Sequence, residues 1–188
     1  MTHPIPMIGG IGTAPITENI YPNADSAVSI WRDEGGASTD IYQSVNSSTQ
    51  NDTTYAKLVS SSWILNVCPT NETRTIRFGM GNPSAEPSPY QNVDVFVRSK
   101  IVDPVSTGFS VSLDIELKEG TTTQRAIGTG FSVGTTFGSD SFSLTTSEIN
   151  SVTNWNNLFV EATWTICANG LDAELDIQCS WVYIQFTP

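Results

Sequence analysis

FSVSLDIELKEG, Phe109 to Gly120, decides the fold class. Phe109, Val111, Leu113, Ile115 and Leu117 alternate with Ser110, Ser112, Asp114, Glu116 and Lys118. Successive side chains of a strand point to opposite faces, so a strict period of two predicts a strand with one buried face. Strands of that kind belong to antiparallel sheets. Related runs flank it. SWILNV (62–67) and TIRFGM (75–80) are short, with β-branched and aromatic residues and the turn-like CPTNET between them. VDVFVRSKI (93–101) sets Val93, Val95, Val97 and Ile101 on one face. In QRAIGTGFSV (124–133), Gly128 and Gly130 predict a bulge or a close approach of another element. LFVEATWTI (158–166) aligns Leu158, Val160, Ala162, Trp164 and Ile166. LDIQCSWVYIQF (175–186) aligns Leu175, Ile177, Cys179, Trp181 and Tyr183, with Val182, Ile184 and Phe186 opposite. Apolar residues on both faces place that last strand centrally or under another element.

The single helix signal is LTTSEINSVTNW (144–155). Thr145 and Glu148 have capping-box spacing, and Ile149, Val152 and Trp155 form a stripe of about two turns. A helix this short is stable only when packed, so it reads as a connection. Seven or eight strands with one short helix predict an all-β fold: a two-sheet antiparallel β-sandwich of the jelly-roll type.

Residues 1–30 read differently from the sandwich at 31–188. Pro4, Pro6, Pro15 and Pro22 with Gly9, Gly10 and Gly12 interrupt any period, while Ile5, Met7, Ile8, Ile11, Ile16, Ile20 and Tyr21 keep the segment apolar. Linkers are polar, so this segment is expected to be an extended arm lying against its own domain or a neighbouring subunit.

At 188 residues, with 38% hydrophobic residues, the chain has material for a real core, and only 14% of it is charged. The net charge of -11 and the scatter of eight Lys and Arg predict no nucleic-acid partner and no anionic membrane partner. No window reaches the length of an apolar membrane span, and MTHPIPMIGGIGTAP lacks the pattern of a secretory signal. The Asn-x-Ser/Thr triplets at Asn46, Asn51 and Asn71 then read as chance products of composition. Cys68, Cys167 and Cys179 lack metal-type spacing and are expected to be buried thiols, with a Cys167–Cys179 contact as the alternative.

Candidates for chemistry are few. His3 is the only histidine, so neither a nucleophile–His pair nor an ordinary zinc set is expected. Asp114 and Glu116 share a strand face at about 6.5–7 Å, a separation compatible with glycoside hydrolysis, but alternating acids are ordinary on a wet sheet face. Asp33, Glu34 and Asp40, or Asn51 and Asp52, offer oxygen ligands for calcium without a fixed spacing, and turn chemistry is the expected role. The expectation is therefore a non-enzyme with no cofactor, metal or catalytic residues. Trp31, Trp63 and Trp155, near segment ends, are candidates for stacking on glycans, whereas Trp164 and Trp181 have core parity.

SIWRDEGGASTDIYQSVN (29–46), NDTTYAKL (51–58), SLTTSEINSVTNWNNLFVEATWT (143–165) and CSWVYIQF (179–186) together resemble virion proteins of tailed bacteriophages. The matching positions are Trp31, Tyr42, Asn51 to Tyr55, then Leu144, Thr145, Glu148, Val152, Trp155, Leu158 and Val160, then Trp181 and Tyr183. The resemblance implies a structural virion protein of the jelly-roll type and supplies no catalytic residues. The expected role is a capsid decoration or cement protein, made in the host cytoplasm and located on the capsid surface. Its partners would be the major capsid protein, through the arm residues Ile5, Met7, Ile8, Ile11, Ile16, Ile20 and Tyr21, and itself, as a homo-trimer or other symmetric oligomer. The alternative is a carbohydrate-binding or structural module of the tail contacting the host surface.

Overall fold

The structure is a computed structural model that describes residues 17–28, 30–58, 72–84, 86, 91–102, 109–168 and 176–187. The expected strand at 62–67, Trp63, Cys68, Leu175 and arm residues Ile5, Met7, Ile8, Ile11 and Ile16 lie outside them.

In chain order the strands are β1 (Glu18–Ile20), β2 (Pro22–Ala27), β3 (Trp31–Arg32), β4 (Ala56–Leu58), β5 (Glu72–Met80) and β6 (Asn92–Val102), followed by β7 (Phe109–Glu119), β8 (Thr123–Ser132), β9 (Gly138–Ser143), β10 (Leu158–Ala168) and β11 (Asp176–Thr187). A 3-10 turn spans Ile41–Ser44, and helix α1 spans Thr146–Ser151. One sheet runs β3-β4-β11-β6-β9, with β1 also on β11; the other runs β2-β5-β10-β7-β8. Every pairing is antiparallel, and four of them are nested: β4 with β11, β5 with β10, β6 with β9, β7 with β8. A long hairpin wrapped so that its successive rungs alternate between two sheets gives this order, which is that of a jelly roll.

The opening stretch is β7, with Val111, Leu113, Ile115 and Leu117 buried as its alternation requires. Facing it, β6 buries Val93, Val95, Val97 and Ile101. Trp31 is fully buried, its ring 5.2 Å from that of Trp164, and its Nε1 donates to the Thr75 carbonyl at 2.9 Å. Both readings of the β8 glycines hold. Gly130 has φ +76° beside a register shift, and a Cβ on Gly128 would stand 2.8 Å from the Phe142 side chain. Helix α1 has both capping-box bonds and packs Ile149 inward, so it closes one end of the sandwich.

Three expectations are corrected. First, β11 carries a bulge between Cys179 and Trp181. Ile177 and Cys179 point into the core, then Val182, Ile184 and Phe186 do, and Trp181 and Tyr183 are turned to the outer face. Core parity for Trp181 fails because one extra residue, Ser180, inverts the alternation. Second, Cys167 is disulfide-bonded, so the three cysteines are not all thiols. Cys179 is free and fully buried, its thiol pushed up to about 12 by burial, and there is no Cys167–Cys179 bond. Third, part of the expected arm belongs to the sandwich. β1 pairs with Ile184–Phe186 of β11, β2 pairs with β5, and Ile20 is a core residue at 4% exposure. Pro22 is tolerated because it is the first residue of an edge strand.

Candidate functional site

Most of the described carboxylates offered for chemistry turn out to hold the fold. On the outer face of the β2–β8 sheet, Glu116 stands directly opposite Glu161, a repulsive cross-strand pair if left alone. Lys118 lies 3.5 Å from Glu116 and bonds Glu161, and Arg77 reaches Glu161 at 3.1 Å. Asp114 accepts a bond from the Gly130 N–H at 2.8 Å and pins the β8 bulge. The two carboxylates of that strand therefore have structural partners.

The loop acids behave likewise. Asp33 accepts from the Ala37 N–H at 2.7 Å, closing its own turn, and Glu34 accepts from Ser44. No group of three or more His, Cys, Asp or Glu side chains converges among the described residues. Asp52 grips Arg98 of β6 through two bonds of 2.8 Å, and Ser180, the bulge residue, donates to the same carboxylate at 3.0 Å. The Arg98 hydrogen bonds hold the Asp52 carboxyl below its ordinary value, although burial opposes them.

The aromatic candidates divide. Trp31 (0% exposed) and Trp155 (5%) are core residues, the latter edge-on to Phe186 at 5.8 Å, so neither can stack on a glycan. Tyr21, from the expected arm, lies 6.1 Å from Tyr183, and its hydroxyl donates to the Ser48 carbonyl. It belongs to an aromatic row on the outer face of the β11–β6 sheet.

That row is built by register. Phe96 on β6 lies opposite Tyr183 on β11, and Trp181 is two residues along β11. The Phe96 and Tyr183 rings are parallel within 2° with centroids 4.4 Å apart, and Trp181 lies 4.4 Å from Tyr183 on another side. Trp181 Nε1 donates to the Ser47 carbonyl at 2.7 Å, so the 45–55 loop braces the ring. Tyr183 is 8% exposed; its hydroxyl is pushed up by burial, with Tyr21 and Asp94 adding to the shift. On the other side of Phe96 the sheet ends at β9, which sets Ser143, Ser141 and Ser139 opposite Asp94, Phe96 and Arg98. All three serines are exposed. Ser143 donates to Asp94, and Arg98 reaches the Ser139 hydroxyl at 3.3 Å. Phe137 closes the Arg98 end, its ring 5.6 Å from the guanidinium and 4.5 Å from the Lys100 ammonium.

Sequence reasoning missed this face. The available signal was Phe96, an aromatic out of phase with the buried valines of its own strand.

No family model and no curated protein matches the chain. Among solved structures it is similar to a chain of the infectious bursal disease virus Gx strain structure, at 13% identity and TM-score 0.40, over 98% of this chain and 36% of that one. It is also similar to a chain of the VP2 subviral particle of infectious bursal disease virus, at 11% identity and TM-score 0.34, over 97% of this chain and 54% of that one. The chain thus spans between a third and just over half of those chains' length. Similarity this weak carries no functional information.

Proposed function

We propose that the chain is a structural virion protein of a tailed bacteriophage, a decoration or cement protein that binds the major capsid protein lattice. The observation that carries the reading is that the edge of β11 is covered within the chain's own described residues. The free edge of β11 is covered in turn by β4, by a Val182 N–H to Val45 carbonyl bond of 3.2 Å, and by β1. Of the acids that sequence offered for chemistry, Asp33, Glu34, Asp52, Asp114 and Glu116 are bound up in structural contacts. The apolar segment carrying Ile5, Met7, Ile8, Ile11 and Ile16 lies outside the described residues, and this reading assigns it to a partner subunit. Six of the sixteen motif positions that resemble phage virion proteins are core residues here: Trp31, Leu144, Val152, Trp155, Leu158 and Val160. They support the fold class of the resemblance.

On this reading the chain is not an enzyme and needs no cofactor. Repeated copies on a symmetric lattice, with a trimer as the assembling unit, add avidity to modest single contacts. The test is co-sedimentation of the full chain and of residues 17–188 with purified shells and, separately, purified tails. The full chain is expected to saturate shells. The shortened one is expected to lose occupancy while its melting temperature stays unchanged. Binding to tails alone, or equal shell occupancy for both chains, would contradict the proposal. The alternative reading, a tail module that binds carbohydrate, loses Trp31 and Trp155 as stacking residues, while Trp63 lies outside the described residues.

A further inference from the structure

We infer that the outer face of the β9–β6–β11 sheet holds a binding site for one neutral pyranose unit of a glycan, seated on Phe96 above Ser141. Strands stand about 4.8 Å apart across a sheet, so rings on neighbouring strands stack when both positions are aromatic. Tyr183 and Phe96 do so at 4.4 Å. The next position in the row is Ser141, on an edge strand, and it is exposed. Phe96 is half-buried and Ser141 exposed, so the ring stack ends on the β9 side in a step with Phe96 as its wall and a serine as its floor.

The step has the chemistry of a sugar site at both ends. The face of an aromatic ring carries partial negative charge and attracts the C–H groups that line one side of a pyranose. Asp94 with Ser143 stands at one end and Arg98 with Ser139 at the other, each about two residues along the strands from the ring. A carboxylate, a guanidinium and three hydroxyls offer both acceptors and donors to sugar hydroxyls. The wall is rigid before any ligand arrives, because Tyr183 backs Phe96 and the Ser47 carbonyl fixes Trp181. Preorganisation of this sort reduces the ordering cost of binding. Arg98 is already paired with Asp52, and the chain carries a net charge of -11, so an anionic ligand is disfavoured and a neutral one is not. A partner's aromatic side chain could occupy the same step, but it would leave Asp94 and the serine hydroxyls unused. Such a sugar site would serve a shell protein and a tail protein alike.

The probe is a panel of methyl hexopyranosides (glucoside, galactoside, mannoside) titrated into the 15N-labelled full chain and followed by amide shifts. At least one is expected to shift residues 94–98 and 139–143 at concentrations on the order of 10 mM, with saturation transfer strongest to the sugar's ring protons. Phe96→Ala should weaken binding roughly tenfold. Ser141→Phe should fill the step with the protein's own ring and abolish binding while leaving the melting temperature the same or higher; this variant separates loss of the site from loss of the fold. Ile127→Ala, on the outer face of the other sheet, should change nothing. Absence of shifts in those segments for every glycoside, or unchanged affinity in Ser141→Phe, overturns the inference. So does a step that takes up an aromatic peptide such as acetyl-Trp-amide and no sugar.

Discussion

Gly128 and Trp31 show how single residues fix the distance between the sheets. A Cβ at Gly128 would collide with the Phe142 side chain that crosses from the edge of the other sheet. Gly128→Ala is expected to lower stability by about 1–3 kcal/mol in urea melts, because Phe142 must leave its place between the sheets. Trp31 is wholly buried against Trp164, so Trp31→Ala should cost about 3–5 kcal/mol and leave the Thr75 carbonyl without its donor. The pH dependence follows from Asp52. Its carboxyl is held below the ordinary 3.8 chiefly by the hydrogen bonds to Arg98, so the folded state favours the charged form. The pair's contribution is therefore fully present above 3.8 and is lost as pH falls through the lower folded value. Asp52→Asn should reduce the melting temperature at neutral pH, and the gap from the parent should close in acid. A variant whose gap is the same at neutral and acid pH would show that the charge of Asp52 does not matter. At this scale the sequence was legible wherever a glycine or an alternating residue had one physical explanation. It misled where a tryptophan's position near a segment end stood in for exposure, as at Trp31 and Trp155.

Among the elements, β11 and β9 carry the most information. The core residues of β11 are Ile177, Cys179, Val182, Ile184 and Phe186, and the step of three in an otherwise two-residue spacing marks the bulge. The same letters also read as a strand covered on both faces, which is why the run predicted centrality correctly but assigned Trp181 and Tyr183 to the wrong face. What settles it is long-range: Ser180 is tied to Asp52, and Asp52 to Arg98, contacts that no local pattern contains. β9 is an unprotected edge among the described residues, and Asp140 is its safeguard. Burial raises the Asp140 carboxyl, so its charge opposes folding above the ordinary value of 3.8 and that opposition relaxes as pH falls. An inward-pointing charge on an edge strand also discourages pairing with a second chain. Asp140→Asn is accordingly expected to melt higher at neutral pH and to self-associate more, read by light scattering. A variant that melts lower would contradict the role. The α1 cap is simpler: Thr145→Ala should cost about 1 kcal/mol, since Thr145 and Glu148 satisfy each other's backbone donors.

For the molecule as a whole, the two-sheet jelly roll was legible because half-buried strands advertise themselves by alternation. The partners of each strand were not legible, since alternation says which face is buried and nothing about which strand lies alongside. The arm boundary was drawn too late for the same reason. β1 and β2 are short edge strands interrupted by Pro22, and only their pairing to β11 and β5 reveals them as part of the sandwich. The central claim is that this chain is a shell-bound structural protein. It is tested most directly by cryo-electron microscopy of virions carrying and lacking the chain. Difference density for a two-sheet sandwich at symmetry-repeated sites on the capsid lattice, with an apolar segment entering a seam between capsid subunits, is the predicted result. Density confined to the tail, or no difference on the shell, would contradict it.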